Sequence, residues 1–185
     1  QSIRKIGKNY GGRKSNNSLS SGKMRKANKL RAVKHMQRLI NANFGSGDFF
    51  CRFSAPYGTY ETEEEFRKEV NKWLDRINYR RKKQGKDRLK YIAFIECGKS
   101  GKNWHIHIIV SKEDRELLSE QWPYENGQNF TPLYKNENFK KLAEYITKDL
   151  TGKEDVDAAQ KRMMTSRNLT KPESVTRKAK RKEIR

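Results

Sequence analysis

The sequence predicts an α/β (α+β) fold, in which a mostly antiparallel sheet has helices packed on one face. Three observations predict it. Residues 104–110, Trp-His-Ile-His-Ile-Ile-Val, form an apolar run of strand length. A second such run, Tyr91 to Cys97, precedes it across the Gly-, Lys- and Ser-containing turn Gly98–Asn103, which makes the two a hairpin. Behind Thr62 and Glu65, the pattern of a capping box, the residues Phe66, Val70, Trp73, Leu74 and Ile77 recur in one helical stripe.

The remaining elements follow in chain order. Residues 1–24 contain Gly11-Gly12 and Ser20-Ser21-Gly22 and no apolar period, so they read as a flexible basic N-terminal arm. A basic amphipathic helix is expected over 25–45, from the spacing of Leu30, Val33, Ile40 and Phe44 and the stop at Gly45. Phe49–Ser54 reads as a strand followed by the turn Ala55-Pro56-Tyr57-Gly58. The capped helix runs to about Arg80, where Arg80-Arg81-Lys82-Lys83 and Gly85 end it. After the hairpin, Ser111 with Asp114 starts a short helix through Leu117 and Leu118. Gln121–Asn136, with Pro123, Gly127 and Pro132, reads as irregular. A last helix is expected from about Glu137 to Leu150, stopping before Gly152. The body is thus 25–160, and 161–185 is a basic C-terminal tail.

The distribution of charge is more telling than its sum of +21. Residues 1–47 hold twelve Lys and Arg and no acid, and residues 161–185 hold ten against Glu173 and Glu183. The middle of the chain is almost neutral, with twenty-one basic and twenty acidic residues over 48–160. Basic arms on a neutral body point to a nucleic-acid partner through phosphate contacts and counterion release. The basic stretches lack a strongly apolar face, and no apolar run approaches the length of a membrane span, so no membrane partner is expected. Two cysteines, Cys51 and Cys97, do not make a disulfide scaffold, and no secretory pattern is seen. The expected setting is cytoplasmic and reducing.

On a strand, His105 and His107 point the same way, while Trp104, Ile106 and Ile108 point the other. If Cys97 pairs with Trp104, Glu96 lies opposite His105 and Phe94 opposite His107. Directly opposed side chains have β-carbons roughly 4.5–5.5 Å apart. Glu96, His105 and His107 then form a candidate metal site, and a slip of one residue would turn Glu96 away. Solvent-facing histidines on a plain strand are the alternative. A structural zinc site recruiting Cys97 is a further one, although Cys97 points away from Glu96.

In the last helix Phe139, Leu142, Ala143, Ile146 and Leu150 define the buried stripe, and Tyr145 falls about 120° from its centre, with Lys148 further round. A phenol and an ammonium beside a metal suit attack on a phosphodiester. Taken alone, Tyr145 reads as a partly buried stripe-edge residue and Lys148 as a solvated one; beside a metal, the Tyr145 oxygen can attack phosphorus and Lys148 can stabilise the phenolate or the developing charge. The reference tyrosine pKa of about 10 makes such help necessary at neutral pH. Phosphoryl transfer favours Mn²⁺ or Mg²⁺ as the divalent cofactor.

With these residues in place, the chain resembles the HUH endonucleases, the metal-dependent, tyrosine-using nucleases of rolling-circle replication initiators, conjugative relaxases and some transposases. His105-Ile106-His107 and Tyr145-Ile146-Thr147-Lys148 carry the resemblance, which is greatest to the replication initiators of plasmids and phages. Ser166-Arg167-Asn168-Leu169 is similar to a segment of the same branch. The resemblance implies an antiparallel sheet of about five strands and a nick in single-stranded DNA at an origin or hairpin. It also implies a 5′-phosphotyrosine at Tyr145, a free 3′ hydroxyl and Glu96 as the acidic third ligand. Two departures stand out: Asp149 occupies the place where some relatives have a second Tyr, and Phe49–Ser54 matches the first family motif loosely. A noncatalytic DNA- or RNA-binding protein, an RNA-processing nuclease, and a relaxase or transposase of the same superfamily remain alternatives.

Overall fold

The computed structural model describes residues 22–134, 136–148 and 163–172. In these, five strands form one sheet: β1 (Phe49–Ser54), β2 (Ile92–Cys97), β3 (Trp104–Val110), β4 (Gln128–Pro132) and β5 (Met163–Thr165). Their order is β4-β1-β3-β2-β5, and every neighbouring pair is antiparallel. The same residues hold four α-helices: α1 (Gly22–Asn43), α2 (Glu63–Lys83), α3 (Arg115–Gln121) and α4 (Lys140–Lys148). The α+β class with a five-stranded antiparallel sheet is the one expected.

The layering differs from the sequence reading, which puts helices on one face. Cys51, Phe53, Ile95, Ile106 and Ile108 pack against α2 and α3. Ile92, Phe94 and Ile109 point the other way, against Val33, Met36 and Ile40 of α1 and Ala143 and Ile146 of α4. Both faces are covered because Ile92–Ile95 and Ile106–Val110 are buried on both sides of the pleat. Strands apolar on both faces need a layer on each.

Helix α2 forms as its sequence dictates. Glu65 N–H donates to Thr62 Oγ1 (3.3 Å), and Thr62 N–H donates to Glu65 Oε2 (3.4 Å), which completes the capping box. Its buried residues are the five of the predicted stripe. Helix α1 buries Val33 and Ile40 as expected, together with Met36 and Leu39, but leaves Leu30 54% exposed. Neither Ser111 nor Asp114 caps a helix through its side chain: residues 112–114 form a 3₁₀ turn, and the Asp114 carboxylate pairs with Arg81 of α2.

Three further differences lie where local signals are weak. The segment read as irregular contains β4, an edge strand ending at Pro132 that pairs along β1. Residues 136–139 form a 3₁₀ turn with φ of +50° at Asn138 and +60° at Phe139, so α4 starts at Lys140 rather than near Glu137. Part of the expected tail joins the sheet as β5. There Ser166 N–H donates to the Tyr91 carbonyl (3.1 Å) and Asn168 Nδ2 to the Arg88 carbonyl (2.8 Å). Asp149, Leu150, Gly152, nearly all of the expected N-terminal arm and the end of the tail lie outside the described residues. No described helix is long and apolar enough to cross a membrane.

Candidate active site

The β2–β3 hairpin has Glu96 opposite His105, Phe94 opposite His107 and Cys97 opposite Trp104, the register on which the metal site depends. Its connection is held by Gly98 N–H donating to the Asn103 carbonyl (2.9 Å) and Gly101 N–H to the Gly98 carbonyl (2.9 Å). Gly101 sits at φ +73°, a conformation that strains other residues, so the turn depends on a glycine there.

Three side chains converge from this hairpin. Glu96 Oε2 lies 3.1 Å from His105 Nε2 and 3.0 Å from His107 Nε2, and one ligand atom from each residue falls within 4.8 Å of the others. Both imidazoles are buried, and Glu96 is partly so. Hydrogen bonds with His105 and then His107 hold the Glu96 carboxyl well below the usual carboxylate range, against the opposing effect of burial.

The partners of each ring nitrogen show what the cluster fits. His105 Nδ1 is 3.2 Å from the Asn103 carbonyl oxygen, which can only accept, so this nitrogen carries the proton. With Nδ1 so engaged, His105 Nε2 faces the Glu96 carboxylate, where either a proton on Nε2 or a cation between the two can join them. The His107 ring lies nearly parallel to and in contact with both Phe50 and Phe94, at centroid separations of 5.1 and 4.9 Å, which restrains its plane. Its Nδ1 is buried and has no hydrogen-bond partner among the described residues. Two imidazole nitrogens and a carboxylate oxygen, two of them held in orientation by neighbours, fit a divalent cation.

Tyr145 reaches this cluster from α4. Ala143 and Ile146 face the sheet, which leaves Tyr145 at the flank of the helix, 44% exposed. Its hydroxyl is 3.5 Å from His107 Nε2, and its ring stands edge-on to Phe50, Phe94 and His107. Lys148, one turn on, lines the groove between α4 and α1 together with Tyr145. All five residues singled out in the sequence therefore lie on the same side of the sheet. Cys97 points to the opposite face, away from the cluster.

Strand β1 adds what the sequence reading leaves out. Arg52 pairs with His107 and Ser54 with His105, so both share the face of the cluster, and Arg52 is exposed. The alternation Phe50, Arg52, Ser54 is visible in the sequence, but the pairing of β1 with a strand some fifty residues later is not.

No curated protein and no solved structure matches the chain. The family model of the replication-associated protein ORF2 matches residues 58–154, 97 of the 185. The match runs from the turn before α2 beyond the end of α4 and takes in Glu96, His105, His107, Tyr145 and Lys148. With more than half of its length and all five of these residues inside that match, the chain belongs to the replication-associated protein ORF2 family.

Proposed function

We propose that this replication-associated protein is a single-tyrosine HUH-type nickase, which cuts and rejoins one strand of DNA at an origin or hairpin to initiate rolling-circle replication of a plasmid or phage. The observation that carries this reading is the convergence of Glu96, His105 and His107 on one point, with the Tyr145 hydroxyl 3.5 Å from His107 Nε2. Glu96, His105 and His107 would hold Mn²⁺ or Mg²⁺, which when bound polarises a non-bridging phosphoryl oxygen and stabilises charge on the oxygen that departs.

The side chains supply the rest. The Tyr145 oxygen forms a bond to phosphorus while the bond to the 3′ oxygen breaks; the phenol loses its proton, and the 3′ oxygen gains one as a free hydroxyl. The 5′ phosphate stays on Tyr145, and rejoining is the reverse attack by a 3′ hydroxyl. Lys148 lowers the cost of the phenolate, and Arg52 offers a charge to a phosphate next to the scissile one. The terminal basic stretches engage the DNA backbone without reading its sequence.

The test is incubation with Mn²⁺ and pooled single-stranded origin fragments. A protein–DNA adduct that survives denaturation is expected, and it should vanish in Tyr145→Phe and on chelation. If the native chain yields no adduct with any fragment, the proposal fails.

A further inference from the structure

Tyr145 forms part of one wall of an open cleft of about 470 Å³ between α4 and α1. Lys26, Lys29, Leu30 and Val33 line it from α1, and Glu144 and Lys148 join Tyr145 from α4. The four α1 residues stand at i, i+3, i+4 and i+7, so they form one helix face. The two α1 lysines on that face are exposed, and α1 contains no acidic residue anywhere in its 22 positions. Three lysines against one glutamate make the cleft a site for an anion. Leu30 adds an apolar surface: it is 54% exposed in a helix that buries Val33, Met36, Leu39 and Ile40. Cationic side chains beside an apolar contact, in a cleft of single-ligand dimensions, match the backbone and bases of an unpaired strand.

We infer that this groove binds single-stranded DNA and seats the segment on the side of the scissile phosphate that stays bonded to Tyr145. The identity of that side rests on the tyrosine chemistry proposed above. The binding itself rests on the groove. Lys26 and Lys29 take phosphates, Leu30 covers a sugar or base, and Lys148 lies where the strand meets the nucleophile. Helix α1 lies outside the family match at residues 58–154, so this groove adds a wall that the matched segment does not supply.

Two measurements test it. The first is the salt dependence of binding of a fluorescein-labelled 15-nucleotide oligothymidylate to the full chain carrying Tyr145→Phe. Adding Lys26→Gln and Lys29→Gln should lower the slope of log K against log salt by about 1.4, two single-strand phosphate contacts at about 0.7 each. Lys82→Gln with Lys83→Gln, at the end of α2 on the other face, should leave the slope unchanged. The second is digestion of the covalent adduct with a single-strand nuclease, followed by intact mass. The native chain should retain a longer nucleotide stub on Tyr145 than the Lys26→Gln, Lys29→Gln protein. Equal slopes for the two lysine pairs, or equal stubs, overturn the proposal. A slope difference without any adduct from the native chain supports strand binding in the groove and removes the tyrosine chemistry instead.

Discussion

The two faces of the sheet are built from the same strands to opposite ends. On the α2 side Cys51, Phe53, Ile95, Ile106 and Ile108 are all buried, and Phe53 meets Trp73 and Trp122 at ring separations of 4.8 and 5.3 Å. On the α1 and α4 side the same strands are apolar at one end, with Ile92, Phe94 and Ile109, and polar at the other, with Glu96, His105, Arg52 and Ser54. Among the described residues α1 and α4 pack on the apolar half, while Arg52 in the polar half is exposed. A closed face supplies stability, whereas a half-covered face can hold ionisable groups at fixed positions and still admit a ligand.

Substitutions on the two faces should therefore separate activity from stability. The largest effect is expected for His105→Ala, which should cut Mn²⁺-dependent adduct formation more than about 100-fold while lowering the unfolding free energy by under about 1.5 kcal/mol in denaturant titration. A large loss of stability in this variant would mean that the polar half is structural after all. Trp73→Ala on the closed face should cost about 3–5 kcal/mol in denaturant unfolding, since a fully buried ring and its hydrogen bond to the Leu118 carbonyl are both lost. Thr62→Ala should cost about 1 kcal/mol by removing the α2 cap, with adduct yield unchanged.

The smallest effect concerns the thiols. Burial pushes the Cys51 thiol up to about 12, opposed by Arg115, so it stays protonated and unreactive across the neutral range. Cys97, beside the Gly98–Asn103 turn of the hairpin, is partly exposed. Alkylation of the native protein near pH 8 should label Cys97 alone, and mass spectrometry reads the result. Labelling of Cys51 under the same conditions would show that the closed face opens readily.

The sequence carried the local half of this structure. Strand β3, the α2 stripe and the capping box were legible because each is stated by neighbours within one or two turns: Thr62 with Glu65, or apolar residues recurring over 104–110. Glu96 was legible for the same reason, since a six-residue connection fixes the register of the hairpin. The edge strands β4 and β5 were not. Gln128–Pro132 and Met163–Thr165 are short, and each lies in the sheet only because β1 or β2 accepts it along an edge. The φ values at Asn138 and Phe139, which delay the start of α4, likewise have no local signal.

By itself, then, the sequence determined the antiparallel α+β class, the pairing of Glu96 with His105, and the position of Tyr145 off the buried stripe. These depend on strand alternation, hairpin register and helical periodicity, all local quantities. Only the tertiary structure decided that helices cover both faces, that Phe50 and Arg52 flank His107, and that α4 docks Tyr145 over the cluster with α1 closing a groove beside it. Each of those joins residues from distant parts of the chain, and burial of apolar area rewards such contacts without any spacing in the sequence to announce them.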